Sequence, residues 1–137
     1  MMDLILLKSS RGYDELQLSE SEGLRQAEGS EYFLFTLRSH NLLASTRVYA
    51  FMPYGSMQQF FEDIAVNWKG WKGEKKWSSL EGELSFVCTS DDLGHVAIEV
   101  ALSARLYEDG WEVRNVLYVD AGQLTGIAAQ ITKFFAT

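Results

Sequence analysis

The chain has 137 residues, 47% of them hydrophobic and 13% aromatic, and a formal net charge of -7. That is apolar material enough for one core, which excludes a disordered chain, and negative charge enough to repel phosphate backbones, which argues against general nucleic-acid binding. One cysteine, Cys88, and two histidines, His40 and His95, exclude an internal disulfide and a cysteine-cluster zinc site.

Pro53 is the only proline, so no proline-rich linker divides the chain, and residues 1–137 read as a single domain. Leu4 to Leu7 is apolar but flanked by Asp3 and Lys8. It is shorter than the roughly 7–15 residues of a secretory signal core, and no run reaches the ~20 residues of a membrane helix. With the lone cysteine, this gives the expectation of a cytoplasmic protein without a membrane partner.

In chain order, Leu4 to Lys8 reads as a strand, Arg11-Gly12 as a turn and Tyr13 to Leu18 as a weaker strand. Ser19 to Ser30 is polar and glycine-punctuated and reads as a loop. Tyr32 to Ser39 alternates, with Phe33, Phe35 and Leu37 on one face. His40-Asn41 turns the chain into a returning strand, Leu42 to Met52. After Pro53 and Gly55, Ser56 and Gln59 form a capping box. It opens a helix whose stripe is Met57, Phe60, Phe61, Ile64, Ala65 and Trp68. Lys69 to Trp77 reads as a basic, tryptophan-rich loop, and Glu81 to Thr89 as a strand with Leu84, Phe86 and Cys88 inward. His95 to Tyr107 is the clearest strand, its inward face Val96, Ile98, Val100, Leu102, Ala104 and Leu106.

Asp109-Gly110 carries the strongest hairpin signal, because a type I′ turn needs two residues tolerant of positive φ. A turn there pairs Leu106 with Val113, Leu102 with Leu117 and Val100 with Val119 on the inner face. On the outer face it sets Arg105 opposite Arg114, Tyr107 opposite Glu112 and Ala101 opposite Tyr118. Trp111 to Val119 is the return strand. Asp120 with Gln123 then caps a last helix whose stripe is Leu124, Ile127, Ala128, Ile131, Phe134 and Phe135. The pattern predicts an α+β fold: one antiparallel sheet of about six or seven strands, with both amphipathic helices on its apolar face. No internal repeat is visible in the residues.

No catalytic motif stands out. The chain has no G-x-S-x-G elbow and no phosphate-binding glycine loop. Cys88 reads as core filler, and the carboxylate pairs Glu62/Asp63 and Glu81/Glu83 as solvated charge. His95 beside Asp91 and Asp92 offers a weak metal site or an acid–base pair, but a turn histidine near carboxylates is more often simply solvated. No cofactor and no metal site are expected. The lysines and tryptophans from Trp68 to Trp77 could stack bases or hold an acidic peptide; the plainer reading packs the tryptophans and leaves the lysines wet. The hairpin's outer face is the more informative feature. Two facing arginines are unfavourable without an anion nearby. Either Glu81 and Glu112 complete a surface network with them, or the face meets a partner.

Trp68-x-Gly70-Trp71, Gly94-His95-Val96 and Asp120-Ala121-Gly122-Gln123-Leu124 together resemble a bacterial family classed as a domain of unknown function. Its layout is similar to immunity proteins of wall-associated, contact-dependent toxin systems. The resemblance spans roughly the C-terminal two-thirds of the chain. It implies a protein that neutralises a partner toxin by binding it and brings no catalytic residue. The resulting expectation is a non-enzymatic protein-binding module, with Arg105, Arg114, Tyr118, Tyr107 and Trp71 at the partner surface. The alternatives are a small-molecule binder or enzyme with a pocket near the Trp71 loop, and a homo-oligomeric structural protein.

Overall fold

The computed structural model describes residues 4–20, 32–53, 55–106 and 109–135; the side chains of Glu20, Arg105, Leu106 and Asp109 lie outside that description. Four strands come first: β1 (Leu4–Lys8), β2 (Glu15–Glu20), β3 (Tyr32–Ser39) and β4 (Leu42–Tyr49), followed by α1 (Met57–Val66). Then come β5 (Lys75–Ser78), β6 (Leu84–Ser90), β7 (His95–Leu106) and β8 (Asp109–Asp120), followed by α2 (Leu124–Phe135). The α+β class and the antiparallel pairing are as the alternation predicts, but the strands form two sheets and not one. Their orders are β1-β2-β3-β4 and β5-β6-β7-β8.

The division has a simple cause. Eight strands side by side would span about 34 Å, whereas two adjacent helices cover only about 20–24 Å. Folding the chain into two sheets turns both apolar faces toward one core that the helices can fill. Where β4 would have passed its edge to a fifth strand, the Tyr49 N–H is instead taken by Glu83 Oε2 at 2.9 Å. The other Glu83 oxygen accepts from Ser79 Oγ at 2.6 Å, and the Glu83 carbonyl accepts from the Ser103 N–H at 2.8 Å. Each half of the chain is thus a four-strand meander ending in a helix, a repetition of architecture that the residues themselves do not display.

The core is continuous across both sheets and both helices. Phe86 of β6 is its aromatic hub: its ring lies 6.0 Å from Phe35 of β3, 5.3 Å from Phe61, 6.2 Å from Phe60 and 5.6 Å from Trp77. On the first sheet Phe33 meets Phe134 at 6.3 Å and Phe135 at 5.2 Å. The helices therefore cross over: α1, which follows the first sheet, packs on Phe86 of the second, and α2, which follows the second, packs on Phe33 of the first. The inward set read from the alternation of β3 is buried, as are Val96, Ile98, Val100 and Leu102 of β7 and the stripe of α2, with Ala104 and Phe135 half-buried and the Leu106 side chain outside the described residues.

Several boundaries differ from the local reading. Lys75–Ser78 is an edge strand and not loop, because Trp77 turns into the core and its Nε1–H donates to the Gly55 carbonyl at 3.1 Å. The first helix stops at Val66, where Asn67 N–H closes onto Asp63 and Ile64, so Trp68 falls outside the stripe and is 51% exposed. Strand β2 runs on to Glu20, taking Ser19 and Glu20 from the expected loop, of which residues 21–30 lie outside the described residues. Strand β4 ends at Tyr49, and β6 starts only at Leu84. The Ser56–Gln59 capping box forms as read. At the second helix, Asp120 N–H donates to Gln123 Oε1 at 2.8 Å, and a 3-10 turn (Ala121–Gln123) precedes α2.

The central hairpin has a different register from the one that Asp109-Gly110 suggests. Leu106 pairs with Asp109, so the connection is residues 107–108, and Val96, Ile98 and Leu102 face Val119, Leu117 and Val113. The shift is four residues, an even number, so every side chain keeps its face. The turn propensity of Asp-Gly yields to pairing length: this register matches all 12 residues of β7 to the 12 of β8, whereas a turn at 109–110 would leave His95 to Ile98 without partners. Gly110 has φ 134° and is the second residue of β8, opposite Arg105.

If Phe86 joins the two sheets, replacing it with alanine should destabilise the fold by about 3–5 kcal/mol, and Leu102→Ala by about 2–5 kcal/mol. Urea denaturation measures both; a loss below about 1 kcal/mol at either position would place that side chain outside a close-packed core.

Candidate functional site

Alternation along β5–β8 leaves one face of the second sheet turned away from the core. The register lines up Ser78, Ser85, Ala101 and Arg114 in one row, Lys76, Val87, Glu99 and Val116 in the next, and Thr89, Ala97 and Tyr118 in a third. All of these side chains are exposed or half-buried. On the inner strands Ser85, Val87, Ala97 and Ala101 are small and surround Glu99. The charged groups of the face lie mostly toward the edges.

Arg114 lies on this face as the alternation predicts, opposite Ala101 and not opposite Arg105. Its Nε is 3.0 Å from Glu112 Oε2 and its guanidinium is 3.9 Å from Glu99 Oε1. Arg105 opposes Gly110, four residues along β7 from Ala101, or about 13 Å at 3.3 Å per residue. The like-charged neighbours expected from a turn at Asp109-Gly110 are therefore absent, and Arg114 sits between two glutamates of its own sheet. The Arg105 side chain and Tyr107 lie outside the described residues, and with them the expected Glu81–Arg105 contact. Tyr118 opposes Ala97, not Ala101.

Trp71 is elsewhere. Its half-buried ring packs against the core, its Nε1–H donates to the Cys88 carbonyl at 3.4 Å, and Lys75 Nζ sits 5.7 Å from its centre. Lys75 is also bound to Asp63 at 2.8 Å, and Lys76 to Glu74 at 3.4 Å. Burial pushes the Cys88 thiol up to about 12, so it stays protonated and is no nucleophile. Among the described residues, no group of three or more His, Cys, Asp or Glu side chains is placed to hold a metal, and no helix is long and apolar enough to cross a membrane.

The corner of the face beside β8 brings in a residue that the sequence reading used only as a turn marker. The β1–β2 connection reaches across to Tyr118: Ser10 N–H donates to the Tyr118 carbonyl at 2.7 Å, and Tyr118 N–H donates to Ser9 Oγ at 2.9 Å. This places the Arg11 guanidinium 4.4 Å from the centre of the Tyr118 ring. Asp91 and His95 adjoin from the β6–β7 turn. Asp91 Oδ1 accepts from the N–H groups of Leu93 at 2.8 Å and His95 at 2.9 Å, while Oδ2 lies 2.8 Å from His95 Nδ1. Arg11, Thr89, Ser90, Asp91, His95, Ala97 and Tyr118 line a shallow cleft of about 210 Å³. Aspartate and histidine four residues apart across a tight turn were legible as neighbours; the arrival of Arg11 from the opposite end of the chain had no local signal.

The backbone N–H of His95, helped by its imidazole and by the Leu93 N–H, holds the Asp91 carboxyl at about 2 instead of the ordinary 3.8. A depressed folded-state value means that the contribution to stability is present above the ordinary aspartate range and is lost as the pH falls through about 2. The Asp91 carboxyl carbon, followed by NMR, should therefore titrate near about 2 and stay flat through the ordinary carboxylate range. A midpoint at the ordinary 3.8 would mean that the turn does not hold the carboxylate.

A family model described as a family of unknown function (DUF6228) matches residues 7–137. No curated protein and no solved structure matches the chain. With nearly its whole length matched, the chain belongs to the DUF6228 family.

Proposed function

We propose that this DUF6228 member is a protein-binding module, not an enzyme, and that its contact surface is the outer face of β5–β8. The observation that carries the reading is the makeup of that face: small apolar side chains, Ala97, Ala101, Val87 and Val116, surround Glu99, and Arg114 and Tyr118 flank Val116 on the edge strand β8. Interfaces join an apolar centre to a polar rim and are enriched in tyrosine and arginine. Arg114 is paired with Glu112 at 3.0 Å and Glu99 at 3.9 Å, so it would enter a complex partly preorganised. Trp71, whose one donor is already used inside the fold, is a support of the sheet in this reading and not a contact.

The net charge of -7 favours a basic partner through long-range steering. In its narrower form, the one implied by the resemblance to toxin-immunity proteins, the partner is a toxin domain encoded beside this chain and neutralised by binding in the cytoplasm. Association of the chain with itself through the same face is the competing outcome.

The neighbouring gene's product supplies the test. Ala101→Arg places a bulky cation in the middle of the face. It should weaken that complex by about tenfold or more, equivalent to about 1.4 kcal/mol, while a surface change of this kind alters folding by only about 0.5 kcal/mol. Arg114→Ala should act in the same direction, with a stability cost of about 0–1 kcal/mol. Calorimetry with thermal denaturation separates the two quantities. Unchanged affinity in both variants would move the contact surface elsewhere, and a large stability loss would make Arg114 part of a structural network.

A further inference from the structure

The cleft at the β8 corner holds a cation that lies over an aromatic ring and has no anionic partner among the described residues. Arg11 is stacked on Tyr118, and among the described residues its guanidinium has no hydrogen bond and no ion pair. A guanidinium over a ring is held through its charge, and its fork of N–H donors, which matches a carboxylate, carries no hydrogen bond within the described residues. Across the cleft, His95 is held by its Nδ1 on Asp91, which leaves Nε2 as the nitrogen free to meet a ligand. The Asp91 carboxylate is already occupied by two backbone N–H groups and this imidazole.

From this arrangement we infer that the cleft binds a single carboxylate group, between the Arg11 guanidinium and His95 Nε2, and takes up a proton as it does so. The charge count favours one negative charge. Arg11 balances Asp91, and protonation of His95 adds one positive charge; a dianion would exceed what the cleft offers. Asp120 lies opposite His95 in the register and Asp92 in the adjoining turn; both are exposed, neither lines the cleft, and both disfavour further negative charge. The proton dependence follows from the hydrogen bonding. With Nδ1–H given to Asp91, a neutral ring presents a lone pair at Nε2 and repels an anion, while the protonated ring presents a donor. The cleft, at about 210 Å³, is smaller than the roughly 300–1,000 Å³ of sites that enclose a drug-sized ligand, so it suits one functional group on a short stem. That group could belong to a free monocarboxylate or to an aspartate or glutamate side chain, and the experiment separates the two.

The test uses the intact chain without any partner, so its failure is independent of the protein-binding reading. NMR follows the His95 ring and the Arg11 side chain as sodium propionate, or a capped Gly-Glu-Gly peptide, is added against sodium chloride at equal ionic strength. The expected result is saturation in the roughly millimolar range with at least one of the two probes, not with chloride. Binding should be at least about threefold tighter near pH 5.5 than near pH 8. Tighter binding of the peptide assigns the group to a side chain, and tighter binding of propionate to a free acid. Arg11→Gln, on an exposed turn, should keep the spectrum of the fold and weaken binding by about tenfold or more, the scale of a lost charge-assisted pair. His95→Gln should bind weakly at both pH values. Shifts that never saturate, an Arg11→Gln protein that binds as well as the parent, or affinity independent of pH would each overturn the inference.

Discussion

The Phe86 ring meets aromatic side chains from β3, β5 and α1, and so touches most of the layers of the fold at once. Neither four-stranded sheet has an apolar face that could be left in water, and neither helix is long enough to cover one alone. The two halves therefore share a single core, with each helix lent to the other half's sheet. Burial of the Phe86 and Phe33 clusters is the favourable term on which the arrangement depends, since apolar area removed from water contributes about 25 cal/mol per Å². Everything on the outside of the molecule follows from which faces that core consumes.

The edges of the two sheets are closed by small polar devices. Glu83 joins the edge of β4 to the second half of the chain through the Tyr49 N–H, and Ser9 and Ser10 join the β1–β2 connection to β8 through Tyr118. These bonds satisfy backbone groups that would otherwise invite another strand. The second closure does more, because it carries Arg11 onto Tyr118 and so builds the cleft. The proposed contact face and the proposed carboxylate site are both by-products of where the sheets meet, and neither requires a strained backbone.

What was legible in the residues was mostly local. The alternation of Phe33, Phe35 and Leu37, that of Val96 to Leu102, and the stripe from Leu124 to Phe134 each mark a buried face correctly, because one element suffices to show it. The Asp109-Gly110 signal misled because turn propensity amounts to little beside a full ladder of cross-strand pairs. Even so, the error of four residues left Arg114 and Tyr118 on the outer face where alternation put them. Strand β5 was hidden by its lysines, whose long stems sit beside a buried Trp77. The division into two sheets, the exchange of helices and the arrival of Arg11 are contacts between distant parts of the chain, and a single sequence has no local pattern for them.

The central physical claim is that two sheets form one cooperative unit around Phe86. Native-state hydrogen exchange tests it most directly, since it reports the opening free energy of each amide. The account predicts that the slowest amides of β3 and of β6 and β7 open with the same free energy and the same denaturant dependence. A clear separation, with one sheet exchanging through a partial unfolding that leaves the other intact, would contradict it.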